Sequence, residues 1–315
     1  NTAFADPALC GLAPYPARPA PALIDWGTAL PQRLADLRAC FAALDDTRRS
    51  EIAAWAAAKG GMLRRQAVFD ALLCRFLPDG AYGWRDWPAQ FHNHAGAAVA
   101  AFARDAADEV AFHVFAQWLA ERGLAAAHDA ARGAGMALGL ICDLAVGVEP
   151  GGADAWSFGA HMLMGLSIGA PPDPLGPEGQ DWGLTTFSPR GLEATGFAPW
   201  LAMIRAALAH AGGVRIDHAF GLSRLWVVPE GGGSMDGAYL AYPFEDLLRL
   251  LALETHRARA FVIAEDLGTA PWGFHEAIIA RNMAGMRVLW FEREPDGAFR
   301  PADGYDPRST AMTGT

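Results

Sequence analysis

The sequence predicts an α/β protein built on a parallel sheet, and three observations carry that prediction. From residue 105 onward, helical patterns alternate with short, continuously apolar stretches, as expected for strands buried on both faces. Three of these stretches end in a carboxylate: Asp143 after Leu140-Ile141-Cys142, Asp217 after Val214-Arg215-Ile216, and Glu265 after Val262-Ile263-Ala264. Neither GxGxxG nor GxxxxGK[ST] occurs, so the phosphate loop common in open doubly wound sheets is absent. Acids at the carboxyl ends of successive strands fit a (β/α)8 TIM barrel, where those ends gather on one active face.

The elements follow in order. Residues 1–104 read as a helical subdomain of short helices broken by Pro and Gly. Pro31 opens a segment with Leu34, Leu37, Phe41 and Leu44 on one face. Thr47 is the expected cap of a second with Ile52 and Trp55, and a third carries Leu63, Phe69, Leu72 and Phe76. After a loop from Pro78 to Ala97, residues 105–315 read as the barrel. A helix with Val114, Phe115, Trp118 and Leu119 ends at Gly133 and Gly135, before a strand over Met136–Cys142. A helix over 200–211, closed by Gly212 and Gly213, precedes the strand Val214–Ile216. Pro243 starts another, with Glu245 and Asp246 in its first turn and Arg257 and Arg259 in its last, matching the helix dipole. The strand Phe261–Ala264 follows, then strands at Met286–Phe291 and Thr310–Thr313. The Pro/Gly-rich stretch 147–199 is expected to be a long substrate loop, and Gly231 to Gly233 a flexible turn.

Composition narrows the function. The 315 residues carry 25 Lys and Arg against 35 Asp and Glu, a formal charge of −10. With no run of basic residues, nucleic acid is not an expected partner. No stretch approaches the ~18 consecutive apolar residues of a membrane span, so no membrane association is expected despite a mean hydropathy of +0.11. Cys10, Cys40, Cys74 and Cys142 form no CxxC pair, which disfavours a disulfide framework or thiolate zinc site and fits a cytoplasmic location. No cofactor or metal is expected. The chain begins at Asn1 without a basic, apolar leader, which reads as a processed chain or a piece of a longer one.

The strongest chemical constellation is Asp217 with Glu265, on consecutive strands. Retaining glycosidases use two carboxyl groups roughly 5–5.5 Å apart, one a nucleophile and one a proton donor. Arg215, two residues before Asp217 on the same strand face, is placed to hold the nucleophile ionised. A rim carboxylate bonded to loop amides is the bland alternative. An enolase-type magnesium site is a rival, but Lys59 lies far in sequence from every barrel strand, and His218 is expected to face away from Asp217. The His92-x-His94 pair reads as loop contacts. Trp156 and Trp182, in the long stretch, are expected to offer aromatic faces to sugar rings.

At this point a family resemblance emerges. Arg215-Ile216-Asp217-His218, continued by Gly221-Leu222-Ser223-Arg224-Leu225-Trp226-Val227-Val228-Pro229, resembles the "RIDH…LWWIP" segment of the 4-α-glucanotransferases of glycoside hydrolase family 77, the amylomaltases. Ala264-Glu265-Asp266-Leu267-Gly268-Thr269 is similar to their "GEDLGT", and Tyr242-Pro243-Phe244-Glu245-Asp246-Leu247-Leu248 to their "YPVDDLL". Asp143 to Val148, Gly169 to Asp173 and Gly179 to Gly183 resemble the third-strand and substrate-loop segments. Ala219-Phe220 in place of "FRG" points to the enterobacterial maltodextrin-type branch.

The resemblance implies retaining transfer of α-1,4-glucan segments between maltodextrins, or to glucose, with Asp217 as nucleophile and Glu265 as acid and base. It further implies substrate binding by Arg215, His218, Asp143, Asp154, Trp156, Asp173, Gln180 and Trp182. The family's third aspartate, in a Thr-His-Asp segment, is expected just after Thr315, so the chain is expected to hold strands three to seven of an incomplete barrel. An α-glucan hydrolase and a non-catalytic glucan-binding module are the alternatives. Oligomeric state is not legible.

Overall fold

The computed structural model describes residues 23–173 and 176–314. Cys10 and Asn1 lie outside them. The chain divides into two compact units, residues 1–127 with 151–157 and residues 128–150 with 158–315. This differs from the expected boundary at residue 104.

The first unit is helical. Helix α1 (Trp26–Ala42) begins ahead of Pro31, because Asp25 already caps the amide of Gly27. Helix α2 (Asp46–Lys59) is capped by Asp45, which accepts from Arg48 N–H at 2.7 Å; Thr47 is inside the helix. Then come α3 (Gly61–Phe76), α4 (Ala97–Asp105) and α5 (Ala107–Gly133). Phe112, Phe115, Trp118 and Leu119 of α5 pack with Cys40, Leu44 and Ile52. That packing ties most of α5 to this unit and moves the boundary downstream. A second cluster joins Phe69 and Leu72 to Trp87, Val99 and Trp156, the last from α6 (Ala153–Phe158).

The second unit holds two sheets. The first is parallel: β1 (Ile141–Leu144), β4 (Gly213–Ile216), β7 (Phe261–Ala264), β8 (Ala284–Val288) and β9 (Ser309–Met312), paired in that order. The second is antiparallel, ordered β3-β2-β5-β6, from β2 (Leu166–Ala170), β3 (Gln180–Leu184), β5 (Arg224–Pro229) and β6 (Ala238–Ala241).

Helices α8 (Ala198–Leu208) and α9 (Phe244–Ala258) cover one face of the parallel sheet. Ile204 and Leu208, with Leu247, Leu248 and Leu251, pack on Val214, Ile216, Val262 and Ala264. Arg205 clamps the two helices through both oxygens of Glu254 at 2.8 Å. Burying those alternate positions turns Arg215 and Ile263 to the opposite face, where Ile263 meets Met286 and Val288.

Three expectations are corrected. The strand expected over Met136–Cys142 starts only at Ile141, because Gly139 turns the chain at φ 72° and Arg132 takes up the carbonyls of Met136 and Ala137. The strand expected over Met286–Phe291 begins two residues earlier and ends three earlier, as β8. The stretch 147–199 is no loop: it folds into α6, β2, β3 and α7 (Pro189–Ala194) and runs into α8. Its glycines permit close backbone packing, and a Cβ on Gly169 would overlap the carbonyl of Gln180 on the neighbouring strand.

Candidate active site

The pairing of β4 with β7 sets Ile216 opposite Ala264, so Asp217 and Glu265 leave the carboxyl ends of adjacent strands side by side. Backbone bonds continue the ladder past both: Asp217 N–H donates to Leu144 carbonyl, and Glu265 N–H to Ile216 carbonyl, each at 3.0 Å. β1 is on the other side of β4, with Asp143 opposite Arg215. Asp217 and Glu265 thus stand at strand ends as expected, whereas Asp143 lies inside β1, level with Arg215, and reaches Asp217 only through that guanidinium.

Arg215 is the hub. Its Nη1 lies 2.7 Å from Asp143 Oδ1 and 2.9 Å from Asp217 Oδ1. Burial opposes the charge on this guanidinium, but the bonds to Asp143 and Asp217 outweigh it and hold its pKa above the usual arginine value.

The two carboxylates sit in unlike surroundings. Glu265 is 8% exposed, whereas the Asp217 side chain is 38% exposed. Burial pushes the Glu265 carboxyl above the usual range. The amides of Leu267 and His218, at 3.0 and 2.8 Å, pull the other way, and the charge of Asp217 adds to the rise.

His218 departs from strand alternation because β4 has ended. Its backbone is left-handed, at φ 44° and ψ 59°, a conformation costly for a residue with a Cβ and held here by its N–H bond to Glu265. The imidazole consequently does not face away: it lines the same cavity as Asp217 and meets Trp182 edge-on, ring centres 5.1 Å apart. Burial lowers its pKa, and Asp217 partly offsets that.

These groups line a cavity of about 1070 Å³, at the upper end of what ligand sites occupy. Arg215, Asp217, Glu265 and Arg287 come from the parallel sheet and its carboxyl ends. Gln180, Trp182, Trp226 and Tyr239 come from the antiparallel sheet. Trp182 Nε1 donates to Gln180 Oε1 at 3.0 Å. Asp173, also in the wall, accepts from Gly176 N–H at 2.6 Å.

Two of the expected binding residues fall elsewhere. Trp156 is 3% exposed and belongs to the core of the first unit, its indole donating to Phe91 carbonyl at 2.8 Å and packing on Phe69 and Trp87. An exposed stacking face is excluded, because α6 turns that indole inward. Asp154 is half-buried in the first turn of the same helix, and burial raises its pKa. His92 is a loop contact as expected, to Trp87 carbonyl at 2.7 Å.

Sequence reasoning passed over several wall residues. Asp266 is buried; its Oδ1 accepts from Met286 N–H at 2.7 Å, and His275 Nε2 is 3.1 Å from Oδ2. A Cβ on Gly285 would come within 2.7 Å of that carboxylate, so Gly285 makes room for it. Arg224 lies 4.0 Å over the Tyr239 ring. The sequence signals for Asp266 were its place beside Glu265 and within the segment similar to "GEDLGT"; Tyr239 and His275 carried none.

A carboxylate pair of unlike environments at the carboxyl edge of a parallel sheet, facing an aromatic-walled cavity, defines a protein of the glycoside hydrolase class. Residues 11–315 match the model of glycoside hydrolase family 77, described as 4-α-glucanotransferase, and the chain belongs to that family. It is 43% identical over 214 residues to the 4-α-glucanotransferase of Mycobacterium tuberculosis, covering 68% of this chain and 29% of that protein. It is 37% identical over 274 residues to that of Haemophilus influenzae, covering 85% of this chain and 39% of the relative. The chain thus spans less than half the length of these curated relatives. The amylomaltase of Corynebacterium glutamicum superposes with a TM-score of 0.76 at 34% identity, over 90% of this chain and 38% of that one. The amylomaltase of Streptococcus agalactiae, solved with acarbose, shares the fold at a TM-score of 0.82 and 17% identity, over 100% of this chain and 64% of that one. No helix among the described residues is long and apolar enough to cross a membrane.

Proposed function

We propose that the protein transfers α-1,4-glucan segments from one maltodextrin to another, or to glucose, with retention of configuration. The observation that carries this reading is the division of character between two neighbouring carboxylates. Glu265, buried and biased toward its protonated form, is suited to give a proton to the leaving glycosidic oxygen. Asp217, bonded to Arg215, is suited to attack the anomeric carbon as an anion. The steps balance: Asp217 forms the glucosyl ester as the glycosidic bond breaks, and the Glu265 proton leaves on the departing sugar. Glu265, now a base, then takes a proton from the acceptor hydroxyl as that oxygen displaces Asp217.

Asp173, Gln180, Trp182 and His218 are the proposed donor contacts, and Asp143 acts through Arg215. The five parallel strands are read as strands three to seven of a (β/α)8 barrel, with the helical unit inserted ahead of them. A reducing, cytoplasmic setting is consistent with the thiols.

Incubation of the protein with maltotriose tests the reading. Glucose together with a ladder of longer maltodextrins is the expected outcome. Glucose and maltose without elongation would make it a hydrolase, and saturable maltotriose binding without any product would make it a binding module.

A further inference from the structure

The helical unit contains a side-chain cluster with no part in the carboxylate chemistry. Cys74, near the end of α3, faces Glu109 and His113, which stand one turn apart on α5. One ligand atom from each lies within 4.8 Å of the others. Cys74 Sγ is 3.8 Å from His113 Nε2, and His113 Nε2 is 3.2 Å from Glu109 Oε1. Zinc–ligand bonds of roughly 2.3 Å to sulfur and 2.0–2.1 Å to nitrogen or oxygen, at tetrahedral angles, set sulfur and nitrogen about 3.6 Å apart and nitrogen and oxygen about 3.3 Å apart. The observed separations are close to both. We propose that Cys74, Glu109 and His113 form a zinc site that staples α3 to α5, water completing the tetrahedron.

The surroundings balance the charge. Arg38 holds Glu109 with Nη1 2.6 Å from Oε2 and Nη2 2.5 Å from Oε1. Coordination through Oε1 leaves Oε2 to the guanidinium. Asp70, half-buried on α3, interacts electrostatically with both Cys74 and His113. A dication with the Cys74 thiolate, the Glu109 and Asp70 carboxylates and the Arg38 guanidinium sums to zero, which offsets the cost of holding charges partly out of water. Burial raises the Cys74 thiol pKa, so metal entry displaces a proton to solvent, and binding strengthens with pH. A mixed thiolate, imidazole and carboxylate set suits zinc and cobalt, and disfavours magnesium or calcium, which prefer oxygen alone. Glu109 and His113 are a helical i, i+4 pair and Cys74 lies 39 positions before His113, so the sequence shows no metal motif.

Cobalt(II) titration of the metal-free protein is the test. One equivalent is expected to produce a thiolate-to-cobalt charge-transfer band in the near ultraviolet and tetrahedral ligand-field bands, all abolished by one equivalent of zinc. Cys74→Ser should remove the charge-transfer band, and His113→Gln should weaken zinc binding at least about 100-fold, beyond the ~10–100-fold typical of an outer-sphere loss. Absence of the band, or its survival in Cys74→Ser, overturns the site. Should either variant fail to fold, alkylation of the unmodified protein decides: zinc is expected to protect Cys74 while leaving Cys142 unchanged, and equal labelling of Cys74 with and without zinc overturns it.

Discussion

The two sheets of the second unit divide the work of the cavity. The parallel sheet supplies charge: Arg215, Asp217 and Glu265 leave it at one edge, fixed by a backbone ladder that continues past both acids. The antiparallel sheet supplies the aromatic wall, Trp182, Trp226 and Tyr239, with Gln180. One sheet is covered by helices on one face and gains precision from that rigid packing; the other gains close approach from glycines such as Gly169 and Gly237. The difference shows that reactive groups and recognition groups in one cavity are held by different physical means and should fail in different ways.

Removing a carboxylate breaks the comparison most severely. Asp217→Asn or Glu265→Gln should lower the transfer rate by about 10³-fold or more, because a covalent or proton-transfer step loses its only group. Circular dichroism should be unchanged and the maltotriose product ladder should vanish; a variant with most of its activity would refute the assigned roles. On the other sheet, Gly169→Val should act through folding instead. The added side chain overlaps the Gln180 carbonyl, so β2 and β3 must separate at a cost of about 1–3 kcal/mol. Denaturant unfolding should show the lower midpoint, and residual activity should fall mainly through substrate affinity.

The smallest effect sharpens the contrast between the two acids. The Asp217 charge raises the Glu265 pKa, so Asp217→Asn should make Glu265 easier to ionise and shift its titration downward. The shift is expected to be small, since burial is the leading cause and persists. Carbon-13 carboxyl shifts followed against pH measure it directly; an upward shift would show that Asp217 acts on Glu265 by something other than its charge. In the unmodified protein the protonated acid should persist to higher pH than an ordinary glutamate, and the proposed transfer rate should decline only as pH rises through that raised value.

Much of this was legible along the chain. Short apolar strands each followed by an acid marked the parallel sheet and the Asp217–Glu265 pair, because strand alternation and parallel pairing are local rules. The family resemblance rested on contiguous segments for the same reason. Other features were decided only by tertiary packing. Trp156 and Trp182 occupy similar Pro/Gly-rich surroundings in sequence, yet one fills the core of the helical unit and the other borders the cavity. His218 was expected to turn away, and a left-handed backbone beyond the strand end turned it in, held by the Glu265 carboxylate 47 positions later. The antiparallel sheet was missed because its strands are only four to six residues long and two of them, β2 and β3, lie within the Pro/Gly-rich stretch, and Cys74, Glu109 and His113 gained their geometry only when α3 met α5. Periodicity reports what a residue's own neighbours require; which distant side chain completes its surroundings is determined by the packing of whole elements, and no local pattern encodes it.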